Sequence, residues 1–221
     1  MTLRALVFDF DGLILDTEWP EYLAVSEAYE QHGHRMEVVD WQARVGTVGG
    51  SWLDELEERV GAPIDRASVG SVWDSRRLGL IGASEPLPGI VDLIDAGHAA
   101  GLRLAVASSA TVRWLDEQLT RLGLHGRFDA LRGRDSVGGV AKPAPDVYLA
   151  ALEALHVDAG EAVALEDSPH GIAAAKGAGL ACVAIPNRVT AGGDFSAADL
   201  LVESARVLTL DRLEALVGSS S

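Results

Sequence analysis

The chain has 221 residues, 33 acidic and 18 basic side chains, and a formal net charge of −15. This acidic excess argues against nucleic acid as the main partner, because affinity for a phosphate backbone comes largely from clustered Lys and Arg. The apolar runs fall far short of the roughly 20 residues that span a bilayer, and the N-terminus lacks a signal-peptide layout. We therefore expect a soluble cytoplasmic protein with no membrane partner, for which a monomer is the simplest assembly.

Apolar runs of strand length recur along the chain, and each is followed by a segment with helical periodicity. This alternation predicts an α/β fold with a doubly wound parallel sheet and right-handed crossovers. The predicted strands cover residues 4–9, 102–107, 129–133, 162–166 and 180–185. The predicted helices of this domain cover residues 89–100, 111–122, 145–155, 170–178 and 208–217.

Residues 16–83 break this rhythm, because they show amphipathic helical patterns, for example over 21–32 and 51–60, and no clear strand. We interpret them as a helical subdomain inserted into one α/β domain formed by residues 1–15 and 84–221. The insert holds four of the five tryptophans. We interpret these mainly as the core of the insert, and stacking against a substrate is the alternative.

Two carboxylates follow the first predicted strand, in the sequence Phe8-Asp9-Phe10-Asp11-Gly12. The carboxyl edge of a parallel sheet is where ligands bind. Because side chains alternate along an extended chain, Asp9 and Asp11 are expected on one side, where two anions repel unless a cation or proton intervenes. A divalent metal would resolve this conflict. The alternative is an ordinary turn, which Asp and Gly also favour.

A second acidic pair, Glu166-Asp167, ends the fourth predicted strand and is delivered to the same edge of the sheet. A ligand set made only of oxygen atoms suits Mg²⁺, which keeps several waters and takes one or two carboxylates. Capping of a helix that begins at Pro169 is the alternative, but it explains one residue and not two acidic pairs. The candidate metal ligands are Asp9, Asp11, Glu166 and Asp167.

Two hydroxyl side chains, Ser108 and Ser109, follow the second predicted strand and precede a helix. Hydroxyl groups and free backbone N–H groups in this arrangement readily bind phosphate oxygens. Capping of the following helix is an equally weighted alternative. We therefore treat both serines as candidates for phosphate binding.

Lys142 follows the third predicted strand, in a loop stiffened by Pro143 and Pro145. The chain has 16 arginines and only two lysines. A lysine here therefore indicates a need for a compact ammonium charge. An exposed lysine is the ordinary interpretation, and it is the one that we give to Lys176 within a predicted helix.

In chain order, these groups are similar to the four motifs of haloacid dehalogenase-like phosphohydrolases. The resemblance covers nearly the whole chain and is strongest to the branch that holds beta-phosphoglucomutase and sugar phosphatases. It implies a Rossmann-like core whose inserted segment, residues 16–83, acts as a cap. The motifs that carry the resemblance are Asp9-Phe10-Asp11-Gly12, Ser108, Lys142-Pro143 and Glu166-Asp167.

The resemblance also implies a role for each motif residue. Asp9 would be the nucleophile and Asp11 the general acid and base, while Ser108 would bind the transferring phosphoryl group. Lys142 would neutralise the nucleophile and the phosphate. Mg²⁺ would be held by Asp167, by Asp9 and by the backbone carbonyl of Asp11, with Glu166 as an outer or direct partner. An acid at position 11 also disfavours dehalogenation, because a halide leaving group needs no proton.

Two departures from the mutase pattern concern the cap. Mutases of this branch have a His four residues after the Asp-Thr pair at the cap entry, but Glu21 stands at that distance from Thr17. The loop that contains Thr47 has Gly where the mutases have Arg. A clamp for a second phosphate is therefore missing, which favours a phosphatase over a mutase. Thr17, Glu21 and Thr47 are our candidate substrate contacts in the cap, alongside Ser108, Ser109 and Lys142 in the core.

The sequence thus predicts a Mg²⁺-dependent phosphatase that hydrolyses a small phosphorylated metabolite, such as a sugar or polyol phosphate, through an aspartyl-phosphate. A hexose-phosphate mutase is the alternative within enzymes. A non-catalytic protein that binds phosphorylated metabolites is the alternative outside them, and the complete set of acidic motifs and Lys142 speaks against it.

Overall fold

The computed structural model describes residues 2–42 and 51–217, in which one sheet has six strands, all parallel. The strand order is β3-β2-β1-β4-β5-β6, so the first strand lies in the interior of the sheet. The predicted doubly wound α/β fold is confirmed. The strands are β1 (Ala5–Phe8), β2 (Arg103–Ala107), β3 (Ala130–Arg132), β4 (Ala162–Glu166), β5 (Ala181–Ala184) and β6 (Leu200–Leu201).

The central strands are fully buried because both faces of a parallel sheet are covered by helices. Their sequences, ALVF in β1 and AVALE in β4, carry no charge before the last residue. Ala5 pairs with Arg103 on one side and with Ala162 on the other, and this register brings the ends of β1, β2 and β4 to one edge. The first residue after β1 therefore lies between the ends of two neighbouring strands.

Each of the five predicted strands overlaps an observed one, and β6 was missed because it is only two residues long and partly exposed. The helices of the α/β unit also fall within the predicted ranges to within a residue or two. A core cluster packs alanines of the sheet against alanines and Tyr148 of two of these helices. The helices of this unit are α5 (Ile90–Ala99), α6 (Val112–Arg121), α7 (Asp146–Leu155), α8 (Pro169–Gly177) and α9 (Leu210–Glu214).

The chain divides into two compact units, and the second consists of residues 16–84 and 188–192. Sequence reasoning did not assign residues 188–192 to the insert. Its helices pack around a core of its own that includes Tyr29, Trp41 and Leu56, with Trp19, Trp52 and Trp73 packed against it. The helices are α1 (Glu18–Gln31), α2 (Val38–Gln42), α3 (Trp52–Val60) and α4 (Arg66–Gly82). Within residues 2–42 and 51–217, no helix combines the length and apolarity needed to cross a membrane.

Candidate active site

Asp9 and Asp11 follow β1, where the strand gives way to a tight turn. The backbone N–H of Asp9 still donates to Leu165 O at 2.9 Å, which extends the contact with β4 by one residue. Asp9 is buried, whereas Asp11 is partly exposed. The turn is closed by a hydrogen bond from Gly12 N to Leu15 O at 2.8 Å, and Gly12 has a φ of +86° that favours glycine.

Lys142 inserts its ammonium group between two buried carboxylates. Its Nζ lies 2.5 Å from Asp9 Oδ1 and 2.6 Å from Glu166 Oε1. The side chains of Lys142 and Asp9 are 6% and 9% exposed, and that of Glu166 is fully buried. Tyr148, on α7, donates its hydroxyl to the same Glu166 oxygen at 2.6 Å. Lys142 Nζ also lies 3.5 Å from the Tyr148 hydroxyl, so it is held by Asp9 after β1, by Glu166 on β4 and by Tyr148 on α7.

Burial and neighbouring charges together set the pKa values of Asp9 and Lys142. Burial raises the pKa of Asp9 to about 7, with Lys142 opposing the shift and the Glu166 charge adding to it. Burial alone lowers the pKa of Lys142, but the two carboxylates outweigh burial and raise it above its usual value. Lys142 is therefore a permanent cation beside a carboxylate that is costly to ionise without further positive charge.

Both oxygens of Glu166 are engaged within the protein. Oε1 accepts from Lys142 and Tyr148, while Oε2 accepts from the backbone N–H of Asp167 at 3.2 Å and from Ser168 Oγ at 3.4 Å. Ser168 also caps α8 by accepting from Gly171 N at 3.2 Å, so the capping interpretation holds for this residue. The capping interpretation does not hold for Asp167, because Ser168 is the N-cap of α8.

Three buried carboxylates, those of Asp9, Glu166 and Asp167, offer oxygen atoms that all lie within 4.8 Å of one another. This group fits a hard divalent cation, because three buried carboxylates carry more negative charge than the single Lys142 ammonium group offsets. Asn187, which follows β5, donates Nδ2 to Asp167 Oδ2 at 2.8 Å and to Gly12 O at 3.0 Å. Asp167 is therefore fixed in orientation relative to the turn that carries Asp11.

Ser108 and Ser109 differ in what their hydroxyls do. Ser108 is buried, and its Oγ accepts from Ala110 N at 3.0 Å and donates to Asp11 Oδ2 at 3.4 Å. Ser109 Oγ accepts from the backbone N–H of Lys142 at 3.2 Å. Thr111 caps the following helix, so the capping alternative is wrong for both serines. Ser109 ties the Lys142 loop to the end of β2.

Three polar contacts in the site were not anticipated from the sequence. They come from Tyr148, from Asn187 and from Trp114, whose Nε1 donates to Asp11 Oδ1 at 3.0 Å. None carries a charge. Tyr148 and Trp114 lie within helical patterns that give no sign of the site, and Asn187 lies in a loop after β5. The one available signal was Trp114 as the single tryptophan outside the insert.

The predicted cap contacts fall in the second unit or outside the described residues. Thr17 is buried, and Glu21 lies 3.8 Å from Arg77. Thr47 lies outside the described residues. Arg76 binds Glu27 on the surface, whereas Arg77 is 21% exposed and lies over the Trp73 ring.

A family model described as haloacid dehalogenase-like hydrolase matches residues 3–179. "Putative phosphatase YhcW" of Bacillus subtilis (strain 168) is 35% identical over 209 residues, which cover 94% of this chain and 94% of that protein. "Hexitol phosphatase B" of Escherichia coli (strain K12) is 32% identical over 201 residues, which cover 83% and 84%.

A solved structure of CbbY from Rhodobacter sphaeroides in complex with phosphate is also similar. Its TM-score is 0.73 at 32% identity, with 94% of this chain and 96% of that chain covered. A mutant of that protein in complex with xylulose-(1,5)bisphosphate gives the same TM-score. Two of these relatives are named as phosphatases, and the two solved structures hold phosphate or a sugar bisphosphate.

The chain belongs to the haloacid dehalogenase-like hydrolases, as the extent of the family match and the identity to full-length relatives show. The predicted class of enzyme, a phosphoric monoester hydrolase of this family, is confirmed by the same matches.

Proposed function

We propose that the protein is a Mg²⁺-dependent phosphatase that cleaves a small sugar or polyol phosphate through an aspartyl-phosphate on Asp9. The observation that carries this proposal is the buried contact between the Asp9 carboxylate and the Lys142 ammonium group. Ser108, Asp11 and Asp167 meet at the same edge of the sheet. The attack of one anion on another requires positive charge beside both, which the Lys142 ammonium group and a bound Mg²⁺ would supply.

The metal would be held by Asp9, by Asp167 and by the backbone carbonyl of Asp11. When bound, Mg²⁺ supplies positive charge that offsets negative charge on the transferred phosphoryl group. Glu166 is a less suitable direct ligand, because both of its oxygens already accept hydrogen bonds from protein groups. We assign to it the role of fixing Lys142.

The reaction has two steps. In the first, a carboxylate oxygen of Asp9 forms a bond to phosphorus, the bond to the leaving oxygen breaks, and Asp11 gives that oxygen a proton. In the second, Asp11 takes a proton from water as the water oxygen attacks phosphorus, which releases phosphate and restores Asp9. Ser108 and Lys142 bind phosphoryl oxygens throughout.

The substrate class rests on the relatives and on the predicted cap. One relative is named for hexitol phosphates, and the protein of a second solved structure holds a pentulose bisphosphate. We assign residues 16–83 to the cap, with Thr17, Glu21 and Thr47 as substrate contacts. Glu21 is an acceptor suited to sugar hydroxyls and unsuited to a second phosphate.

Phosphate release from an aryl phosphate, measured with Mg²⁺ and with EDTA, tests the proposal. We expect wild-type activity that needs Mg²⁺ and is abolished in Asp9→Asn, because an amide cannot form the acyl-phosphate. Transient incorporation of labelled phosphate into the protein should also disappear in this variant. Full metal-dependent activity of Asp9→Asn would show that the nucleophile is wrongly assigned.

Product analysis separates the phosphatase from the mutase. A panel of sugar and polyol phosphates should yield free phosphate in amounts equal to the substrate consumed. An isomerised sugar phosphate without free phosphate would contradict the proposed hydrolysis and establish the mutase.

A further inference from the structure

A tryptophan outside the four motifs contacts the residue that we assign as general acid. Trp114 lies in the first turn of α6, and its Nε1 donates to Asp11 Oδ1 at 3.0 Å. Its backbone N–H is bound in turn by Thr111 Oγ1 at 3.3 Å, which caps the helix. The start of α6 and the indole are therefore positioned by the same cap.

The contact distinguishes the two oxygens of Asp11. An indole N–H can only donate, so Asp11 Oδ1 acts as an acceptor in this arrangement. The other oxygen, Oδ2, lies 3.4 Å from Ser108 Oγ. Ser108 is the residue assigned to the phosphoryl group, so Oδ2 is the Asp11 oxygen nearer to the proposed phosphoryl site, and Oδ1 is the oxygen held by the indole.

We infer that Trp114 is a positioning residue that occupies Asp11 Oδ1 and thereby directs Oδ2 towards the leaving oxygen of the substrate. The inference rests on the proposed function, which gives Asp11 its role in proton transfer. In this role Trp114 acts through Asp11. Its effect should therefore depend on how much help the leaving group needs.

A purely structural role for Trp114 makes a different prediction. Leu115 and Leu119 of the same helix are fully buried, and Trp114 is only partly buried beside them. If the indole served packing alone, its loss would lower stability and would reduce activity on all substrates by the same factor. The dependence on the leaving group separates the two roles.

The experiment compares two substrates in wild type and in Trp114→Phe. One is 4-nitrophenyl phosphate, whose leaving group departs without a proton, and the other is an alkyl phosphate such as glycerol phosphate. We use kcat/KM because it reports the steps up to formation of the phosphoenzyme, before Asp11 acts as a base. We expect kcat/KM to fall about tenfold or more for the alkyl phosphate and less than about threefold for the aryl phosphate.

Two control variants separate an effect on packing from an effect through Asp11. Leu119→Ala disturbs the packing of α6 without touching Asp11, and it should leave the ratio between the substrates unchanged. Asp11→Asn should show the same substrate dependence as Trp114→Phe, with a larger factor. If Trp114→Phe does not fold, replacement of Trp114 by 3-benzothienylalanine keeps the ring shape and removes only the N–H donor.

Equal losses on both substrates, no loss on either, or a faster alkyl phosphate reaction would each overturn the inference. In the last case the indole would hold Asp11 away from the leaving group. If Asp11→Asn itself showed no dependence on the leaving group, the assigned role of Asp11 would fail, and the inference with it. A normal Asp11→Asn pattern combined with a uniform Trp114→Phe loss rejects the inference alone.

Discussion

The two lysines of the chain lie in the same unit and have contrasting surroundings. Lys142 is 6% exposed and contacts two carboxylates that are themselves buried. Lys176, on α8, is 34% exposed and binds both oxygens of Asp199 at 3.0 and 2.7 Å. Asp199 also accepts from the backbone N–H of Cys182 at 2.7 Å, so Lys176 has a structural role that the interpretation as a simply exposed lysine missed.

The contrast shows how burial changes what an ion pair does. A partly exposed pair gains little, because water solvates both charges when the pair is broken. A buried pair leaves an uncompensated charge behind when one partner is lost, and that penalty is large. Loss of Lys142 should therefore cost much more stability than loss of Lys176. The pair of Lys176 and Asp199 links α8 to the segment that precedes β6.

The largest effect is expected from Lys142→Ala. Removal of the ammonium group leaves Asp9 and Glu166 buried without their partner, which should lower the free energy of unfolding in EDTA by about 3–5 kcal/mol. Activity on an aryl phosphate should fall at least about 100-fold. Urea unfolding and steady-state kinetics measure the two effects. A variant as stable as wild type in EDTA would contradict the view that this lysine compensates buried carboxylates.

Tyr148→Phe tests the hydrogen bond from Tyr148 to Glu166, the carboxylate that binds Lys142. Loss of the hydroxyl removes one donor from fully buried Glu166, so we expect a destabilisation of about 1–3 kcal/mol in urea unfolding. Tyr22→Phe is the matched control, since it removes a partly buried hydrogen bond of 3.2 Å to the uncharged backbone carbonyl of Met36. Its cost should be smaller, and equal costs would show that burial of Glu166 adds nothing.

Asn187→Ala tests the orientation of Asp167. We expect the affinity for Mg²⁺, measured by calorimetry or by the rise in Tm on titration, to fall about 10-fold, as when a partner of a metal ligand is removed. Lys176→Ala should keep the wild-type affinity. Unchanged Mg²⁺ binding in Asn187→Ala would mean that Asp167 holds its position without the amide.

The smallest effect is expected from Lys176→Ala itself. A partly exposed pair should contribute about 0.2–1 kcal/mol to the free energy of unfolding, and less at high salt. Activity should not change. If Lys176→Ala lowered the free energy of unfolding as much as Lys142→Ala, burial would not explain the difference between the two lysines.

Much of the site could be predicted because the parallel topology determines it. Once the apolar runs of β1, β2 and β4 are recognised as parallel strands, the residues at their carboxyl ends must meet at one edge of the sheet. The partners of these residues could not be predicted in the same way. Asn187 is 20 residues from Asp167, and Trp114 is 103 residues from Asp11, so only the folded chain brings them together.

The limits of the fold prediction have a similar origin. β6 is two residues long, too short for a periodic pattern, and it is defined by pairing with β5. Residues 188–192 group with the second unit because of three-dimensional contacts, although in the chain they come between β5 and β6 of the α/β unit. Arg188 illustrates this, since it pairs with Asp16 and lies over the Trp19 ring.

Gly171, in the first turn of α8, has a bearing on how freely this sequence can vary. A methyl group on its Cα would overlap the carboxylate of Glu166. Even alanine there would displace the group that holds Lys142, although Gly171 has no chemistry of its own. In a saturation library, we therefore expect position 171 to tolerate substitution as poorly as the reactive positions do. Positions that do not tolerate substitution should therefore include residues that pack against the charged groups, such as Gly171, as well as the charged residues themselves.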